Sequence, residues 1–166
     1  MTLTIATPHA IGRPGYTALL PCQPKSVRRA RAFVSSVLAT WGIGDLVDDG
    51  EVVVSELLTN ALDHTTCPMA RVVIEQCSDG VIRIEVADSS HAQPQVQKDD
   101  VATESGRGLL LVAALSWRWG CDEHDWGKST WAELKVLAKA SSANDLSSDL
   151  GERSMTMPIR CPGVHP

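Results

Sequence analysis

The sequence predicts an α+β fold: a two-layer α/β sandwich in which helices cover one face of a mixed, mainly antiparallel sheet. Three observations carry this. The periodic segments follow one another as strand, helix, helix, hairpin, polar loop, helix, hairpin, an order that one sheet with helices stacked on one face satisfies. The repeating strand–crossover–strand pattern of a doubly wound sheet is missing. A chain of 166 residues, 43% of them apolar, is enough for one domain with a real core and too little for two comfortable ones.

Residues 1–15 show no periodic pattern and read as a flexible lead-in, and 16–20 read as a short strand. Pro24 and Ser26 open a helix in which Val27, Ala30, Phe33, Val34, Val37 and Leu38 recur at helical spacing. Arg28, Arg29 and Arg31 surround that stripe as a solvated face, and Gly42 and Gly44 stop the helix. Asp45 restarts a helical pattern that runs to about residue 65, with Val53, Val54, Leu57, Leu58, Ala61 and Leu62 as its broad apolar side. Pro68 marks the exit. Two strands, 70–76 and 81–87, follow around Ser78-Asp79-Gly80; alternation, β-branched residues and the Asp-Gly turn all predict a hairpin.

Residues 88–105 turn polar and exceed the ordinary connection of about 4–6 residues, which in a compact domain points to a functional loop. A glycine-opened helix is expected from 106 to about 115, then strands 117–121 and 128–136 around the turn His124-Asp125-Trp126-Gly127. The Ser/Ala/Asp/Pro-rich stretch 138–166 is expected to be disordered, which leaves 16–137 as the folded domain. Trp supplies five aromatics against one Phe and one Tyr, so the core should be aliphatic, with the tryptophans in special places.

Fifteen Lys and Arg against twenty Asp and Glu give a net charge of −5, which argues against a general nucleic-acid binder. No apolar run approaches the roughly 18 residues of a membrane span, and the N-terminus lacks the layout of a secretory signal. The five cysteines are odd in number and widely spaced, with no CxxC; reduced thiols in a cytoplasmic protein are the reading. His64 and Cys67 could share a metal, but nothing completes a four-ligand set.

Four segments carry chemistry. In Ser55-Glu56-Leu57-Leu58-Thr59-Asn60, Glu56 and Asn60 stand one helical turn apart, about 6 Å, on one face. A carboxamide oxygen suits Mg²⁺, and a carboxylate can orient or deprotonate a nucleophile. Alone, the pair equally fits an exposed polar face. Asp88, at the end of a strand, can accept the exocyclic amine of adenine, or can simply cap a turn. Glu104-Ser105-Gly106-Arg107-Gly108-Leu109 places two glycines and unpaired N–H groups at a helix start, where phosphate binds, or makes a flexible turn before a core helix. In Gly127-Lys128-Ser129-Thr130-Trp131, an inward hydroxyl could reach a base with Trp131 packing beneath, although the segment also reads as an ordinary hairpin strand.

In this order and spacing the segments resemble the GHKL (Bergerat-fold) ATPases over residues 16–137. Glu56 to Asn60 is similar to the N box, Asp88 to the first glycine box, Gly106 to Gly108 to the second, and Gly127 to Thr130 to the third. The phrases SELLTNALDH, GRGLLLV and GKSTWAEL look most like the small anti-sigma-factor serine/threonine kinases of the actinobacterial type. Free-standing length fits that type better than sensor histidine kinases, since only His9 precedes the N box, or multidomain relatives.

The resemblance implies ATP and Mg²⁺ as cofactors, with Glu56 as general base and Asn60 on the metal. Asp88 would read the adenine amine, Gly106, Arg107, Gly108 and Leu109 would lie against the phosphates, Thr130 would reach the base, and 89–105 would form a lid. It also implies a sigma factor and an anti-sigma antagonist as protein partners, and a homodimer, although the apolar face of the first helix could equally be core. One position departs from the pattern: the first glycine box reads Asp88-Ser89-Ser90, so Ser90 brings a Cβ to the nucleotide-binding stretch where a glycine is common. A non-catalytic nucleotide-binding module is the alternative to a kinase, and a domain with no nucleotide site is a third reading.

Overall fold

The structure, a computed structural model, describes residues 4–5, 13–64, 68–77, 80–91 and 108–136. Along them run β1 (Thr4–Ile5), β2 (Gly15–Pro21), α1 (Lys25–Thr40), α2 (Val47–His64), β3 (Met69–Gln76), β4 (Val81–Asp88), α3 (Gly108–Leu115), β5 (Arg118–His124) and β6 (Gly127–Lys135). The strands form one sheet in the order β1-β2-β3-β4-β6-β5. Every pairing among the described residues is antiparallel, so the expected α+β sandwich is present and the sheet read as mixed is antiparallel there. The sequence reading has no strand before residue 16; Thr4–Ile5 pairs with Thr17 and Ala18, and two residues are too few to show alternation. The tail 138–166 and most of 1–15 lie outside the described residues.

Alternation sorts the sheet into two faces. Val72 and Ile74 of β3, Ile82, Ile84 and Val86 of β4, and Ala132 and Leu134 of β6 point toward the helices. They share one core with Ala30, Val34, Val37 and Leu38 of α1, Val53, Val54, Leu57 and Leu58 of α2, and Leu109 and Val112 of α3. The apolar face of α1 is thus consumed inside the domain, while Arg28, Arg29 and Arg31 are exposed. The core is aliphatic as expected, with Tyr16, Phe33, Trp41 and Trp119 packed at its margin.

The other sheet face is ionic. Arg83 lies 3.9 Å over the Trp131 ring, 3.3 Å from Glu133, 3.4 Å from Asp122 and 3.6 Å from Glu85. Arg118 adds a second guanidinium to Glu133, which is buried beneath the two. The sequence reading sets Trp131 beneath the candidate base site; alternation instead turns it to this face, because its neighbour Thr130 points to the helices.

Chain connections decide where the elements converge. From the end of α2 only residues 65–68 lead to β3, whose start lies beside the end of β4, with Arg71 opposite Ala87. The helix α2 therefore runs toward Asp88. Helix α3 runs away from that end, because Leu115 leads through two residues to Arg118, opposite Glu133 near the far end of β6. The C-terminal half of α2, the start of α3, the end of β4 and the start of β6 meet at one end of the sandwich.

Burial separates the expected costs of substitution. Leu57, fully buried, should lose about 2–5 kcal/mol of stability as Leu57→Ala. Arg31→Ala, which removes a 2.9 Å pair with Glu51 from a side chain 54% exposed, should cost less than about 1 kcal/mol. Chemical denaturation of the two variants checks the contrast.

Candidate functional site

Asp88 ends β4, and the register sets it directly opposite Lys128 on β6. Both side chains lie on the helix-facing side and are nearly sealed from solvent, Asp88 at 3% and Lys128 at 1% exposure. Lys128 Nζ donates to Asp88 Oδ1 at 3.1 Å, and the backbone N–H of Ser90 donates to the same oxygen at 2.8 Å. Asp88 thus caps its own turn, as one reading of it expected, and also pairs with a buried cation. Thr130, two residues along β6 on the same face, is buried, and its hydroxyl donates to Cys121 Sγ at 3.8 Å.

Close approach of β6 to this point needs a glycine. Gly127 has φ +144°, and a Cβ there would stand 2.1 Å from the Asp88 carbonyl oxygen and 2.6 Å from Ser89 Cα. Both obstacles are backbone, which cannot swing aside.

Glu56 and Asn60 project from α2 beside its buried stripe of Leu57, Leu58 and Ala61. Glu56 reaches α3: a Cβ on Gly108 would stand 2.2 Å from Glu56 Oε2, so any other residue at that helix start would displace the Glu56 carboxylate from where it lies. The first turn of a helix exposes unpaired N–H groups and the positive end of its dipole, which favour a carboxylate or another anion. Asn60 Nδ2 is buried with no hydrogen-bond partner among the described residues. An orphaned buried N–H group costs about 1–3 kcal/mol and calls for a hydrogen-bond acceptor, such as a phosphate oxygen. A carboxamide, a carboxylate one turn before it and a helix start facing them form a donor set that fits a hard cation carrying a phosphate chain.

Of the other predicted residues, Leu109 sends its side chain into the core, so only its backbone can face a ligand. Ser90 is half-buried beside Asp88. Gly106, Arg107, Cys67 and the side chain of His64 lie outside the described residues. Among the described residues no group of three or more His, Cys, Asp or Glu could hold a metal, and no helix is long and apolar enough to cross a membrane. Lys128 is the residue that sequence reasoning missed. The alternation of Lys128, Thr130, Ala132 and Leu134 was the available signal, since it puts a cation on the core face.

Neither Cys22, Cys77 nor Cys121 is in a disulfide. Burial pushes the Cys77 and Cys121 thiols up, which keeps them protonated and weakly nucleophilic at neutral pH. Because the shift is upward, the thiolate fraction near about pH 8 is smaller in the folded than in the unfolded chain. Alkylation by iodoacetamide, followed by peptide mass spectrometry, should label Cys121 more slowly in the native protein, and the native rate should still be climbing where the denatured rate levels off. Gly127→Ala should lower stability by about 2 kcal/mol or more, read from thermal unfolding.

Residues 20–134, from the end of β2 to the end of β6, match the histidine kinase-like ATPase domain family. No curated protein matches the chain. The matched span contains α2, α3 and both strands that carry Asp88 and Lys128, and it covers well over half of the 166 residues. The antiparallel sandwich, the convergence of these elements at one end and this match make the chain a member of the histidine kinase-like ATPase domain family, within the GHKL superfamily, and its folded unit an ATP-binding domain.

Proposed function

We propose that the chain binds Mg·ATP at the Asp88 end of the sandwich and acts as an anti-sigma-type serine/threonine kinase, phosphorylating an anti-sigma antagonist and sequestering a sigma factor in the cytoplasm. The observation that carries this is the buried Asn60 carboxamide, whose Nδ2 finds no acceptor among the described residues, on the same helix face as Glu56, with Glu56 seated against the start of α3. In this reading Asn60 Oδ1 holds the Mg²⁺, and the Gly106–Leu109 backbone and Arg107 lie against the phosphates. Asp88 accepts the adenine amine through Oδ2, its Oδ1 being held by Lys128 and Ser90, and Thr130 reaches the base. A guanine carbonyl at that place would face a carboxylate and be rejected.

When bound, Mg·ATP supplies a phosphoryl group that passes to a serine oxygen with release of ADP. Glu56 receives the proton of that serine hydroxyl at a carboxylate oxygen. The remaining task is positioning and charge neutralisation, which a small domain provides. Residues 89–105 act as the lid, and partners compete or cooperate with nucleotide through it. A homodimer would form through a surface other than the apolar face of α1, which the core already uses.

One observation favours a second reading, a non-catalytic module in which ATP orders a binding surface. Ser90 carries a Cβ at the position where the resembling ATPases commonly have glycine, and its N–H is tied to Asp88. Incubation with γ-phosphate-labelled ATP and candidate antagonist proteins separates the two. For the kinase, Glu56→Ala should lower phosphoserine formation by about 10²–10⁴-fold while nucleotide still binds. Binding without transfer by the unaltered protein favours the module. A melting temperature that does not rise with Mg·ATP overturns both.

A further inference from the structure

The buried pair of Lys128 with Asp88 has no explanation in stability. Taking two ions to 1% and 3% exposure costs several kcal/mol each before their attraction returns anything, and an apolar pair of similar volume would serve a core as well or better. Register does not need it either, since β4 and β6 are already matched over eight residue pairs from Val81↔Lys135 to Asp88↔Lys128. What the pair does achieve is orientation. Lys128 Nζ and the Ser90 N–H both engage Oδ1, from β6 and from the turn after β4, so the carboxylate plane is fixed from two directions.

We propose that Lys128 is a positioning residue for purine selectivity. It holds Asp88 as an oriented acceptor so that the second oxygen, Oδ2, meets the exocyclic amine of the base. This rests on the ATP-site reading above and assigns to Lys128 a role that reading does not contain. Lys128 itself is too deeply enclosed to swing onto the base, and it acts through Asp88. Without the cation, the carboxylate keeps only the Ser90 N–H on Oδ1 and is no longer held from β6, and the fixed acceptor is lost.

The test is calorimetric titration of the full chain with Mg·ATP and with the magnesium salt of purine riboside triphosphate, which lacks only the 6-amino group. The unaltered protein should prefer ATP by about 10- to 100-fold, the worth of one charge-assisted hydrogen bond. In Lys128→Met that preference should collapse to within about threefold, with affinity for the analogue nearly unchanged, because the phosphate and ribose contacts remain. Lys128→Arg, which keeps charge and donors, should retain most of the preference. If Lys128→Met does not fold, Lys128→Gln is titrated instead and should show the same selective loss in smaller measure. Equal loss of both ligands, or an unchanged preference, overturns the role of Lys128 and leaves the ATP site standing. An unaltered protein that binds neither nucleotide, or binds both equally, overturns the reading of Asp88 and this inference with it.

Discussion

The site end of this protein depends on one close approach, that of β6 entering the sheet flush against the last residue of β4. The backbone of Asp88 and Ser89 fills the space where any side chain at position 127 would lie, so a glycine there is a condition of the strand's path. That path sets Lys128 opposite Asp88 and turns Thr130 inward. It also sends Trp131 and Glu133 to the opposite face, where Arg83 lies over the Trp131 ring and Arg83 and Arg118 both pair with Glu133. One backbone contact thereby fixes the composition of two surfaces.

The helix α2 is used twice. Leu57, Leu58 and Ala61 are buried against the sheet and its neighbours, while Glu56 and Asn60, interleaved with them, stand half-buried at the edge of the core. A side chain flanked by fully packed neighbours inherits their rigidity, which suits groups that must hold a ligand within a fraction of an ångström. The start of α3 completes the arrangement, because its glycine lets the Glu56 carboxylate come to rest on the helix terminus.

Most of the architecture was legible in the sequence because its elements are strongly periodic. The stripe from Val27 to Leu38, the Val53–Leu62 side and the alternating hairpin 70–87 all appear as helix, helix and paired strands, with ends displaced by only a residue or two. Thr4–Ile5 was illegible, since a two-residue strand has no period to read. The hidden parts of the site were pairwise. No local pattern reports that Gly108 abuts Glu56 or that Lys128 lies across from Asp88, because sequence separations of 52 and 40 residues are closed only by the sheet and helix packing. A cation in the glycine-led strand was readable as inward-facing from alternation alone, yet charge argued for the surface. Burial of an ion is an exception that only its counter-ion explains.

The Lys128–Asp88 couple is electrically neutral as a unit. Its field is that of a small buried dipole, which falls off within a short distance and draws little on an anion in solution. The protein as a whole, at −5, repels a triphosphate at a distance. If ATP binds as proposed, encounter is governed by the few cationic and N–H groups near the start of α3, and added salt, by screening the repulsion, would ease arrival without weakening a contact between Asp88 and the base.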